Sequence, residues 1–411
     1  MRQPYFLLCH LLCCLNVVLG EARILMYLTG QHPIPPSDPS LVADITHVAL
    51  AFMPSSRFSQ RQHPNNPTGA LSDNDWPLFA SVSDSRKKFP KGTKILVAIG
   101  GWGDDEGFEM AARTQEGRDL WSNNVARMIE STGADGVDID WEYPGGNGQR
   151  YLQPNQTNPT KSWQIQAFPL LLSSLRQHVG SSKLITTAVP GHPRDMLAFN
   201  PSTMPFILQS LDFLNIMTYD LMNRRDTQTS HHAGTQSSLR SIKAYESLGV
   251  PTAKMNLGFA FYVKWYKTDI SEAGHKKCAE AWKNNAGIGC PTSLMEDPKT
   301  GGDLGKSGAF SWHDEVPGEL EQSFEKALME KKWDEQGGGC GYWDEQEDIW
   351  WSWEDEREIS VKIDKLAKEK QVGGVFAWGL GEDGEKFEHL KTLTNSFRKL
   401  EIEGPDMRDE L

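Results

Sequence analysis

Cysteine is scarce in this chain: six among 411 residues, and three of those, Cys9, Cys13 and Cys14, fall within the first twenty. The other three, Cys278, Cys290 and Cys340, are an odd and scattered set. They exclude a cysteine-dense scaffold, and with no histidine pair at ligand spacing nearby they argue against a structural zinc site. In an oxidising compartment the simplest arithmetic is one disulfide and one free thiol. Cys278 with Cys290 is the favoured pair, because they bracket a short loop containing Asn and Gly; Cys340 is then free. Basic residues are also in deficit, 42 Lys and Arg against 55 Asp and Glu, for a formal net charge of −13. That balance argues against nucleic acid as a partner.

Long apolar runs are missing too. Residues 1–20 carry Arg2 and then a mostly apolar stretch from Tyr5 to Leu19, which reads as a secretory signal peptide and is too short for a comfortable membrane span. No later segment approaches the ~20 continuous apolar residues of a span. A soluble, monomeric, exported protein is expected. The tail, residues 402–411, is acidic and ends Arg408-Asp-Glu-Leu411, close to the Lys-Asp-Glu-Leu retention signal, so retention in the endoplasmic reticulum is the alternative. Asn155-Gln-Thr157 is an open N-glycosylation sequon. Gly100-Gly101-Trp102-Gly103 lacks the spacing of a phosphate-binding loop; its glycines suit a backbone that turns close to a ligand. The adjacent pair His231-His232 cannot converge on one metal ion and is read as a surface loop.

What is present is rhythm. Short apolar runs alternate with longer amphipathic ones, the pattern of βαβ units in a parallel sheet or barrel. Eight strands are expected, over 23–28, 45–53, 94–100, 136–141, 184–189, 213–219, 255–261 and 374–378. Helices are expected over 76–89, 118–131, 162–179, 237–247, 359–371 and 384–400. The stretch between the seventh and eighth strands, about 263–341, is too long for a loop and helix and reads as a small insertion. Trp343, Trp350, Trp351 and Trp353 near its end are expected in a core; Trp351 and Trp353, beside Glu354, are the candidates for exceptions.

The most informative segment is Asp135-Gly-Val-Asp-Ile-Asp-Trp-Glu142. Asp138, Asp140 and Glu142 occupy alternate positions, so on a strand they share one face about 7 Å apart. Like charges at that range cannot all ionise freely, and at least one proton is held above its usual pKa. Val137, Ile139 and Trp141 make the other face apolar, and Tyr143-Pro-Gly-Gly146 ends the strand. Inward carboxylates at the C-terminal end of a buried strand lie where a parallel β/α barrel carries its active site. Asp135 is off this alternating set and is read as a structural hydrogen-bonding group.

The segment also resembles the Asp-x-x-Asp-x-Asp-x-Glu signature of glycoside hydrolase family 18, the chitinases and their relatives, the secreted fungal members above all. Lys94-Ile-Leu-Val-Ala-Ile-Gly-Gly-Trp102 resembles that family's third strand, Met217-Thr-Tyr-Asp220 the end of its sixth, and Val375-Phe-Ala-Trp378-Gly379 its eighth. The resemblance implies a TIM (β/α)8 barrel over 21–401 with a small insertion between strands 7 and 8. It further implies a retaining chitinase in which the substrate's own acetamido group is the nucleophile. Glu142 would be the general acid and base, its pKa raised by Asp140 and partial burial. Asp140 would hold the acetamido group, Asp138 would share its proton, and Tyr219 and Asp220 would meet the same group with Met217 beneath. Trp378 would floor the cleft, with Trp102, Tyr143 and Gly101 along it. Chitin or its oligosaccharides would be the partner, and no metal or cofactor is needed. An intact signature also fits a slow hydrolase that mainly sequesters oligomers, or an endo-β-N-acetylglucosaminidase acting on N-glycans.

Overall fold

A computed structural model describes residues 22–60, 76–152 and 158–403. The leader segment, Asn155 and residues 404–411 of the acidic tail lie outside the described residues. Eight strands pair in parallel and close on themselves: β1 (Arg23–Thr29), β2 (His47–Met53), β3 (Lys94–Gly100), β4 (Gly136–Asp140), β5 (Leu184–Pro190), β6 (Phe213–Met217), β7 (Met255–Ala260) and, after the insertion, β13 (Gly374–Trp378). β13 pairs with both β7 and β1, which completes a β/α barrel. Every expected strand is present, with ends displaced by at most two residues. The reason is chemical: strands buried on both faces must be nearly continuous Val, Ile, Leu, Met and Ala, and such runs stand out from their flanks.

Around the barrel pack the helices Gln115–Thr132, Trp163–Val179, Thr235–Ser247 and Glu388–Glu403. The helix expected over 76–89 shrinks to Val82–Arg86. Ser81 accepts a hydrogen bond from the Asp84 amide at 3.0 Å and so starts the helix late, while Pro77 and Pro90 bracket the segment. The helix expected over 359–371 instead begins at Glu356, capped by Asp355, and passes at Ile363 into a π-helical turn.

The insertion is an antiparallel sheet of five strands, β8 (Tyr262–Lys267), β9 (Ser307–Ser311), β10 (Lys332–Asp334), β11 (Gly339–Asp344) and β12 (Ile349–Trp353), in the order β10-β11-β12-β8-β9. Its last strand reaches Trp353, twelve residues past 341. Trp351 and Trp353 are fully buried in the core of this sheet, where Phe324 packs against both, and so are not exposed platforms. Cys278 and Cys290 are joined by a disulfide with Cα atoms 4.4 Å apart, and Cys340 is free and buried. A buried ion pair fastens insertion to barrel. Lys362 Nζ lies 2.7 Å from Glu354 Oε1 and donates to the Thr218 carbonyl, while Glu354 Oε2 accepts from the Ala260 amide. Among the described residues no helix is long and apolar enough to cross a membrane.

Candidate active site

β4 carries the site because its register puts small partners beside large acids. Asp138 lies opposite Ala98 and Thr186, and Asp140 opposite Gly100. Gly100 has φ +109°, and a Cβ there would sit 2.4 Å from the Asp140 carbonyl oxygen, so glycine is required for β3 and β4 to close at this point. Val137, Ile139 and Trp141 point outward and are fully buried against the helices. Asp135 stands apart at the start of the strand, where it accepts from the Ile95 amide at 2.8 Å and from Arg86 at 2.9 Å.

Asp138 is fully buried and surrounded by donors. Tyr27 donates to Oδ2 at 2.5 Å, Asn215 to Oδ1 at 3.2 Å, and Thr186 also donates to Oδ1. Asp140 is next to it and accepts the Ala188 amide at 3.2 Å. Burial, the charge of Asp138 and a hydrogen bond to Asp138 hold the Asp140 carboxyl well above the usual range. Asp140 therefore favours its protonated form beside Asp138.

Glu142, just beyond the strand, is also kept protonated. Burial is the largest cause and the Asp220 carboxylate the next, and its pKa is pushed up to about 8. The charge neighbour expected from spacing, Asp140, does couple to Glu142, whose charge helps raise the Asp140 pKa; the structure adds Asp220, from the end of β6, as the charge that raises Glu142 most. Asp220, at φ +54°, accepts from Tyr262 and Lys264, each at 2.8 Å. Partial desolvation would raise the pKa of this half-exposed side chain, but the Lys264 ammonium and His232 outweigh that and hold it low. Tyr219 and Tyr27 stay protonated, since burial and the surrounding carboxylates raise both pKa values.

These groups open on a cleft of about 560 Å³ lined by Asp140, Glu142, Tyr143, Met217, Tyr219, Asp220, Trp102 and Trp378. Trp378 stacks on Phe52 with ring centroids 5.4 Å apart and packs on Tyr27. Trp102 is 48% exposed beside Tyr143. A carboxyl that holds a proton near neutrality, beside apolar ring faces, can deliver that proton to a bound ether oxygen.

The model of glycosyl hydrolases family 18 matches residues 23–383. The chain belongs to this family. It is 26% identical over 363 residues to chitotriosidase-1 of Mus musculus, covering 85% of this chain and 68% of that one. It is 25% identical over 382 residues to an endochitinase of Manduca sexta, covering 86% and 62%. The chain thus spans about two thirds of the length of these curated relatives. A solved class V chitinase from Nicotiana tobaccum matches with a TM-score of 0.65 at 19% identity, over 92% of this chain and 99% of that one.

Within this family 18 barrel, some residues fall elsewhere than the sequence implies. Gly101 is not on the cleft surface: its N–H donates to the Asp140 carbonyl at 2.8 Å, and a Cβ would strike the Phe52 ring. His231 and His232 are buried, not on a surface loop, because the insertion covers them. The His232 amide donates to Ser352 of β12, and His231 lies 3.3 Å from Asp334 of β10. Tyr27, Thr186, Asn215, Tyr262 and Lys264 went unnoticed in the sequence. For the first three a signal existed, a lone polar residue inside an apolar strand. Tyr262 and Lys264 lie in the insertion, where no periodicity points at the barrel.

Proposed function

We propose that the protein is a chitinase that hydrolyses β-1,4 bonds between N-acetylglucosamine units with retention, through an oxazolinium intermediate formed by the substrate's own acetamido group. The observation that supports this best is the division of protons among the β4 carboxyls. Glu142, with a pKa of about 8, is a general acid at working pH, while Asp138 and Asp140 share one proton behind it. Glu142 protonates the leaving glycosidic oxygen and then, as carboxylate, takes a proton from the attacking water. Asp140 accepts the acetamido N–H on its unprotonated oxygen, and the Asp138–Asp140 pair, holding one proton, keeps the negative charge that offsets the oxazolinium ring. Tyr219, a donor at any working pH, serves the acetamido oxygen, with Asp220 and Met217 around the same group. Trp378 floors the cleft under the reacting sugar, and Trp102 and Tyr143 take a sugar further along. The internal disulfide suits folding in the secretory pathway, with export as the destination.

The test is incubation of the protein and its Glu142→Gln variant with N-acetylglucosamine hexamer, following products and their anomeric form. Short β-anomeric oligomers from the parent alone are expected. α-Anomeric products would refute the mechanism, and binding without cleavage by both proteins would make the chain a capturing protein.

A further inference from the structure

One line of polar side chains in the barrel interior leads away from the cleft. Arg23 begins β1, at the end of the barrel opposite the cleft. Its Nε donates to Asn256 Oδ1 at 3.0 Å. Asn256 Nδ2 donates to Asn215 Oδ1 at 2.9 Å. Asn215 Nδ2 donates onward to Asp138 Oδ1 and to the Tyr27 hydroxyl, each at 3.2 Å. Asn256 and Asn215 are both fully buried. The strand register builds this line: Asn215 of β6 is the direct partner of Asn256 of β7, and Gly374 of β13 stands between Arg23 and Asn256. Gly374 is what lets Arg23 across, since a Cβ there would lie 2.5 Å from Asn256 Oδ1.

The line has only one sense. A guanidinium has donors and no acceptor, so Asn256 must present its oxygen to Arg23 and its NH₂ to Asn215. Asn215 must then present its NH₂ to Asp138 and to Tyr27. Tyr27, accepting from Asn215, is left to donate its own proton to Asp138 Oδ2. With Thr186 donating as well, both oxygens of Asp138 are occupied as acceptors. We infer that Arg23 is a positioning residue for catalysis: through Asn256 and Asn215 it keeps Asp138 an acceptor and so places the proton of the Asp138–Asp140 pair on Asp140. The inference rests on the chitinase reading, in which Asp140 meets the acetamido group. Partly buried Arg23 remains a cation, its pKa lowered by desolvation only to about 10. The titratable groups facing Asp138 are Tyr27, Asp140 and Tyr219; those around Arg23 are His47 and Lys254, with Lys94 and Asp135 next around His47.

Three variants test it. Arg23→Lys keeps a cation that can only donate; Arg23→Met removes it; Asn256→Leu keeps the Arg23 charge but cuts the line. Each is measured for thermal unfolding, for kcat and KM on N-acetylglucosamine hexamer, and for the carboxyl titration of ¹³C-labelled aspartates without substrate. Arg23→Met and Asn256→Leu are expected to lower kcat by about 10- to 100-fold with KM nearly unchanged, and to shift the titration of the Asp138–Asp140 pair. Arg23→Lys should restore both. An Asn256→Leu protein that is folded, with the parent's kcat and carboxyl titration, would overturn the inference. If Arg23→Met does not fold, Asn256→Leu decides alone. If the parent binds the hexamer without cleaving it, the chitinase reading fails, and the carboxyl titration still decides whether the line places the proton.

Discussion

Lys264, on the first strand of the inserted sheet, places its ammonium 2.8 Å from a carboxylate oxygen of Asp220 at the end of barrel strand β6. Tyr262 of the same strand donates to that oxygen. Two residues of the insertion thus hold Asp220 as an anion, and that anion is the strongest charge acting on Glu142. Removing it lowers the cost of ionising Glu142. Asp220→Asn is therefore expected to move the alkaline limb of the pH dependence of kcat/KM to lower pH. Half of the Asp220 side chain meets solvent, so screening keeps the shift smaller than a buried pair would give. An unmoved limb would mean that burial alone sets the pKa of Glu142.

Glu142 also links pH to stability. Its folded pKa is about 8 against an ordinary 4.5, so between those values the folded chain holds a proton that the unfolded chain releases. The contribution of the neutral carboxyl is full below about pH 4.5 and is lost as pH rises toward 8. Glutamine cannot ionise. Glu142→Gln is expected to match the parent in acid and to exceed it near pH 8 by a few kcal/mol, while hydrolysis falls by about 10²- to 10⁴-fold. Urea unfolding of both proteins across that range checks this, and parallel pH dependences would contradict the raised pKa.

The barrel was legible because its strands are apolar runs of the right length between turn residues, and the β4 acids because carboxylates at alternate positions in such a run have no structural excuse. Other features depend on tertiary placement. The two histidines at 231 and 232 look like a polar loop until β12 is laid over them, and Trp351 and Trp353 look like platforms until Phe324 packs on them. That Asp220 joins Asp140 as a charge neighbour of Glu142 follows from the turn after Asp140, where the period of two stops applying. Asn215 and Asn256 were readable as anomalies, single amides in apolar strands. Their partnership needed the register of β6 against β7.

The aromatic lining separates binding from chemistry. Trp102 is half exposed and its nearest aromatic neighbour is Tyr143, at 6.3 Å, so little of the fold depends on it. Trp102→Ala is expected to raise KM for the hexamer by roughly 3- to 10-fold, the worth of one aromatic contact, with kcat and melting temperature close to the parent's. Trp378 packs on Tyr27 and Phe52 and lines the cleft. Trp378→Ala should lower kcat as well as raise KM, because a floor that shapes the reacting sugar acts in the transition state. Equal effects on KM alone would make Trp378 a binding surface only.

The Glu354–Lys362 pair lies at the root of the insertion, with both side chains fully buried. Lys362 reaches the Thr218 carbonyl, one residue before Tyr219, and Glu354 reaches the Ala260 amide at the end of β7, two residues before Tyr262. It thus fixes the strand ends that carry Tyr219 and Tyr262. Lys362→Met leaves Glu354 buried without its cation, and burial already raises that carboxyl's pKa. A loss of about 3–5 kcal/mol of unfolding free energy is expected, eased at low pH where Glu354 takes up a proton. Replacing both partners, Glu354→Gln with Lys362→Met, should recover part of that loss, since no buried charge remains. A double-mutant cycle by denaturant unfolding measures this. Additive losses would show that the two side chains stabilise the junction separately, and activity following stability in both variants would show that the junction serves the site by holding Tyr219 and Tyr262 in place.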